Sequence, residues 1–178
     1  MRKPTASLSR MMLAAAVALA LGLSARAPAF AADDALPRVE LNADNAAGRP
    51  VEDLTKKSVA RDYAKAWRTL ATAMDQNRAD LVEGDFVGIE AEKLTTAVQQ
   101  QAKAGLRTRY VDRGHKLEVL FYSPEGLSIQ VRDTANLEMQ VLDGDKVIHS
   151  EQGTRHYISI LTPTEVRWKV RVLQAEPQ

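Results

Sequence analysis

At Gly105 the spacing of apolar residues switches from a helical to an extended period, and this restricts the chain to helices first and a sheet after. Upstream, Val59, Tyr63, Ala66, Trp67, Leu70 and Met74 recur at steps of three and four and mark one face of a helix over Leu54–Arg78. Lys57, Arg61, Asp62, Lys65, Arg68 and Asp75 fall mostly on the other side, as a surface helix requires. Asn77 is a natural stop, and Asp80-Leu81-Val82-Glu83 has capping-box spacing for a short helical turn. Asp85 reads as the N-cap of a second helix whose apolar face is Ile89, Leu94, Ala97, Val98 and Ala102, closed by Gly105.

Beyond Gly105 the period is two. Leu117, Val119 and Phe121 open a strand, and Ser123-Pro124-Glu125-Gly126 has the composition of a turn. A return strand sets Leu127, Ile129, Val131, Ala135, Leu137, Met139 and Val141 on one face. Asp143-Gly144-Asp145 is a hairpin signal. A third strand covers Val147–Leu161, and Val166, Trp168, Val170 and Val172 alternate with Arg167, Lys169 and Arg171 in a fourth. The expected fold class is α+β: N-terminal helices covering the apolar face of a curved, four-stranded antiparallel sheet over residues 54–175.

The N-terminus reads as an address. Arg2, Lys3 and Arg10 precede the uncharged stretch Met11–Leu23, and Ala29-Phe30-Ala31 has an A-x-A cleavage pattern, so residues 1–31 read as a signal peptide. Thirteen apolar residues reach about 20 Å as a helix, short of a hydrocarbon core of roughly 30 Å. Cleavage after Ala31 removes four basic residues and no acid and turns a net charge of +1 into −3, which excludes a dedicated nucleic-acid binder. The expected location is periplasmic or secreted, with no transmembrane anchor after cleavage. Residues 32–53, with six acids and two prolines, read as an acidic lead-in that docks at most through Val39 and Leu41.

Chemistry-bearing motifs are few. The chain has no cysteine, and His115, His149 and His156 lack the spacing of a zinc site, so no metal or other cofactor is expected. Nucleotide-binding, lipase-type and zinc-protease patterns are missing. Asp133 stands out because it falls in the inward register between Val131 and Ala135. A carboxylate there is costly unless paired or protonated. It reads either as a general base in a pocket or as part of a bulge at Arg132-Asp133-Thr134. Arg167, Lys169 and Arg171, with Arg155 beside them, form a basic row that fits an anionic partner or a solvated face. Trp67 and Trp168 read as core anchors, with ligand stacking on Trp168 as the alternative.

Tyr63-Ala64-Lys65-Ala66-Trp67, Lys103-Ala104-Gly105, the run Arg155–Leu161 and Arg167-Trp168-Lys169-Val170, in this order, resemble the nuclear transport factor 2-like (cystatin-like) superfamily over about 120 residues. The resemblance implies a cone-shaped domain with a pocket at its open end. Some enzymatic members use a pocket aspartate, usually carried on a segment that is abbreviated here between the helices. The reading that follows is an exported, noncatalytic domain that binds a protein partner or a small apolar or anionic ligand in the cell envelope, with a homodimer as one possibility. The alternative is a small lyase or isomerase of the ketosteroid isomerase or polyketide cyclase type, with Asp133 as base and Tyr110 or His156 as donor.

Overall fold

The computed structural model describes residues 36–177, and the leader read at 1–31 lies outside them. Two short strands come first, β1 (Val39–Asn42) and β2 (Ala47–Gly48), followed by helix α1 (Asp53–Gln76). A 3-10 helix (Ala79–Gly84) leads to helix α2 (Ile89–Lys103). Four longer strands complete the domain: β3 (Leu106–Tyr122), β4 (Ile129–Asp143), β5 (Lys146–Pro163) and β6 (Trp168–Ala175).

The helical period is realised as expected. Val59, Tyr63, Ala66, Trp67, Leu70 and Ala73 are buried along one face of α1. Asn77 ends the helix in the left-handed conformation at φ 54° and donates its backbone N–H to Ala73 O. Its side chain also donates to Leu106 O at 3.0 Å, tying the helix end to the first residue of β3. Gln101 from α2 donates to the Asn77 side chain at 2.7 Å and accepts from Thr108 Oγ1 at 2.9 Å, so both helices are pinned to the same strand.

Two local expectations change. Asp85 does not cap α2; Gly88 stands at that position with φ 62°, a conformation a side chain resists. Asp85 is instead buried between α1 and β6, accepting from Thr69 Oγ1 at 2.6 Å and Arg167 Nη1 at 3.0 Å. Its backbone carbonyl accepts from Val170 N–H at 2.9 Å, which makes the stretch before α2 part of the sheet edge. Ile89 and Val166 fit an apolar pattern but are 62% and 78% exposed, because Ile89 opens α2 and Val166 lies in the turn before β6.

The sheet has six strands and is mixed, not four-stranded antiparallel. Its order is β1-β3-β4-β5-β6, with β2 also on β3. Strands β1 and β2 run parallel to β3, and the other pairs are antiparallel. Val39 and Leu41 alternate over too few residues to announce a strand, and its hydrogen bonds come from the edge of β3, as in His115 N–H to Arg38 O at 2.9 Å. At Gly48 the backbone comes so close that a Cβ would collide with Tyr122 O. Register shifts interrupt β3, β4–β5 and β5–β6, and such bulges bend strands. Between the helices and the inner face of this open sheet lies the core, including Leu117, Val119, Ile129, Val131, Leu137, Leu161, Trp168 and Val170.

Candidate functional site: a buried carboxylate and imidazole centre

One of the register shifts creates the most unusual feature of the interior. In β3, Asp112 pairs with Leu137 and His115 with Ala135, so Arg113 and Gly114 together face the single residue Asn136. The extra residue shifts the side-chain alternation. Tyr110 and Asp112 point inward before it, and His115, Leu117 and Val119 after it. Gly114 makes the bend at φ 124°, with Arg38 O 3.3 Å from where a Cβ would sit, and its N–H donates to Asp112 Oδ1 at 2.8 Å.

The bend delivers His115 to Asp133. The imidazole Nδ1 lies 2.8 Å from Asp133 Oδ2 and Nε2 lies 2.8 Å from Asp112 Oδ2. From α1, the Tyr63 hydroxyl donates to the same Asp133 oxygen at 2.9 Å and lies 3.2 Å from Ser159 Oγ on β5. The side chains of Asp133 and His115 are wholly buried. Burial alone would depress the imidazolium, but the hydrogen bonds and charges of Asp112 and Asp133 outweigh it and push the His115 pKa up to about 9. The ring is therefore a cation at neutral pH, and both of its N–H groups donate to carboxylates. Burial, and then the Asp133 charge, hold the Tyr63 phenol well above its ordinary value, so it stays protonated and donates.

Aromatic rings surround this centre. Trp67 lies against His115 at 4.7 Å between centroids and meets Tyr157 at 5.3 Å and Tyr110 at 6.3 Å edge-on. Tyr157 and Tyr110 are partly exposed, and burial raises both phenols, Tyr157 to about 12. Asp133 Oδ1 and Trp67 Nε1 are buried without a hydrogen-bond partner.

Asp133 is thus inward-facing, and the bulge considered for Arg132–Thr134 lies across the ladder on β3. The two donors expected for it do not converge on it. His156 pairs with Thr134, the neighbour on the opposite face, so it is exposed on the outer side with Nδ1 3.3 Å from Thr134 Oγ1. Tyr110 packs on Trp67 and makes no hydrogen bond to Asp133. Tyr63 and His115 take those roles. A lone acid on an apolar strand face needs a donor, and Tyr63 was the polar-tipped residue on the apolar face of α1. His115 carried a weaker signal, the Gly114 beside it.

No protein-family model matches the chain, and no curated protein matches it. Solved structures do. The intermembrane space region of the chloroplast protein ARC6 aligns with a TM-score of 0.60 at 14% identity, over 67% of this chain and 96% of that one. A putative dehydratase of the nuclear transport factor 2-like family from Streptomyces avermitilis aligns at 0.45 and 12%, over 68% and 97%. A Nostoc punctiforme protein of unknown function with a cystatin-like fold aligns at 0.41 and 9%, over 72% and 96%. The alignment with the ARC6 region shows a shared fold. At these identities the likeness is one of fold, and it does not select a function.

On this scaffold the basic row is partly engaged. Arg167 is held by Asp85, and Lys169 Nζ donates to Glu83 O at 2.9 Å, so both fasten the 3-10 segment to β6. Arg171 is exposed, and Arg155 pairs with Glu151 at 2.7 Å on the inner side of β5. Trp168 is a core residue, edge-on to Tyr122 at 6.4 Å. Two grooves of about 310 and 470 Å³ lie along β1, β3 and β4, lined by Arg38, Glu40, Lys116, Glu118, Arg132 and Thr134, a mixed-charge surface. Among the described residues no helix is long and apolar enough to cross a membrane.

Proposed function

We propose that this protein is an exported, noncatalytic binding or accessory domain that engages a protein partner or small ligand in the cell envelope. The observation that carries the reading is the closure of the polar centre. Both His115 nitrogens are taken by carboxylates, the Tyr63 hydroxyl is committed to Asp133, and all three side chains are buried. A general base must come within hydrogen-bond reach of the proton it removes. Here the charged groups satisfy one another and brace α1 against three strands. The leader at 1–31 supports export, to the periplasm or beyond.

A second reading, a small lyase or isomerase with Asp133 as base, is favoured by one observation: Asp133 Oδ1 is buried without a hydrogen-bond partner and retains a free lone pair. One experiment separates the two. The full chain is expressed, the exported protein purified, its N-terminus sequenced, and a β,γ-unsaturated ketone incubated with it in D₂O. The noncatalytic reading expects an N-terminus at Ala32 and deuterium incorporation no faster than in buffer. Incorporation above buffer that is lost in a folded Asp133→Asn variant establishes the second reading.

A further inference from the structure

Strand β5 is paired on both sides along only part of its length. One edge follows β4 from Lys146 to Leu161. The other meets β6 only from Tyr157 to Pro163, with one further bond from Glu176 N–H to His156 O at 2.8 Å. Among the described residues nothing pairs with the outer edge of Lys146–Arg155, about 33 Å of strand. Every residue from Lys146 to Thr154 is exposed.

The direction of its backbone groups follows from that last bond. Because the His156 carbonyl points toward β6, the N–H and C=O groups of Thr154, Gln152 and Ser150 point the same way, outward into solvent. Gly153, Glu151 and His149 direct theirs to β4. Natural edges are usually guarded by proline, by isolated charges, by bulges or by shortness, and the one bulge here, at Ile148, lies next to the hairpin and leaves His149–Arg155 regular. This one has no proline, its Glu151 and Arg155 neutralise each other at 2.7 Å, and Val147 and Ile148 are 43% and 51% exposed. A row of alternating donors and acceptors is matched by another extended strand.

We propose that the occupant is a second copy: two β5 edges pair antiparallel about a two-fold axis at Ser150 and join two sheets into one. A two-fold normal to the sheet keeps inner faces together, so residues of equal parity must oppose one another. Three registers centre the free edge. Centring on Glu151 sets that carboxylate against its own copy. Centring on Gln152 opposes His149 to Arg155 and drives the partner's hairpin toward the end of β6 at Ala175. Centring on Ser150 opposes His149 to Glu151 twice, and the regular ladder ends on each side at Ile148, the residue that β4 skips between Val141 and Leu142. This pairing is independent of whether the interior turns over a substrate.

Because the chain has no cysteine, a single introduced thiol reports the register. In a hydrogen-bonded antiparallel pair the Cα atoms lie about 5.5 Å apart, within disulfide range. Sedimentation of the purified exported protein is expected to show a concentration-dependent dimer, and mild oxidation of Ser150→Cys to trap it. Gln152→Cys and Ile148→Cys, staggered along the axis, are expected to cross-link at least tenfold more slowly. Gln152→Pro removes only an outward N–H and is expected to remain folded with at least tenfold weaker association. A protein that stays monomeric at its highest soluble concentration would overturn the proposal. So would equal trapping at all three positions, or dimerisation unchanged by Gln152→Pro in a protein with native circular dichroism.

Discussion

Asp112 and His115 both present their side chains to the inner face of the sheet, with Nε2 2.8 Å from Asp112 Oδ2, although three residues along an uninterrupted strand would face opposite ways. The bulge at Arg113-Gly114 reconciles them. It turns a surface-accessible acid, a buried imidazole and the deeper Asp133 into one chain of hydrogen bonds that ends on α1.

The imidazolium makes stability depend on pH in a definite direction. Its pKa is raised from 6.5 to about 9 in the folded state, so its contribution is complete below pH 6.5 and is lost as pH rises through 9. A difference of this size is on the order of 3 kcal/mol for a fully buried group. Urea unfolding at pH 6.5 and pH 9.5 is expected to show the loss, and His115→Gln to flatten the profile over that window. A wild-type midpoint that does not move would refute the charged-imidazole assignment.

Asp133 and His115 are expected to act as a coupled pair. Removing one partner of a buried ion pair strands the other, at a cost of about 3–5 kcal/mol. Asp133→Ala should fall in that range and also leave the Tyr63 hydroxyl without its acceptor. In a cycle of Asp133→Asn, His115→Gln and the double variant, residues in one network give coupling of about 0.5–3 kcal/mol. Additive losses, measured by chemical denaturation, would mean that the two do not share a bond.

Gly114 tests the bulge itself. At φ 124° any side chain is strained, and a Cβ would press on Arg38 O at 3.3 Å. Gly114→Ala is expected to lose about 1–3 kcal/mol and to weaken the alkaline pH dependence with it, since the ring moves away from its carboxylates. A stability loss with an unchanged pH profile would separate the bulge from the charge network.

Much of this architecture could be read from spacing alone, because period is a local property. The apolar face of α1, the stop at Asn77, the hairpin at Asp143-Gly144-Asp145 and the inward register of Asp133 each depend on residues within one or two turns. What could not be read depended on distant partners. The strand at Val39–Asn42 exists because β3 offers its edge, more than seventy residues on. Asp85 has the composition of a helix cap, but Thr69 and Arg167 draw it between α1 and β6. His156 is offered by the sequence as a donor to Asp133, and its pairing with Thr134 puts it on the outer face. The donor pair Tyr63 and His115 was hidden twice, once by a separation of 70 residues and once by the parity change at Gly114.

Asp62 provides the opposite pH response on the far side of α1. It is buried, and its Oδ2 accepts Trp168 N–H at 3.0 Å while Arg61 donates to both oxygens at 2.8 and 3.0 Å. Burial alone would raise its pKa, but the Arg61 and Trp168 hydrogen bonds and the charges of Arg61 and Lys65 hold it below its ordinary value. A depressed carboxylate contributes stability above its unfolded pKa and loses it as pH falls through the lower folded value. Acid unfolding of the wild type, followed by tryptophan fluorescence, is therefore expected to begin with loosening of β6 at Trp168. Asp62→Asn keeps the shape and an acceptor for the Trp168 N–H but removes the charge. It is expected to lower stability at pH 7 by about 1–3 kcal/mol, the range for hydrogen bonds to a charged group, and to make the variant less sensitive to acid than the wild type. If both proteins lose stability in parallel as the pH falls, the ionised form of Asp62 is not what fastens the first residue of β6 to the helix.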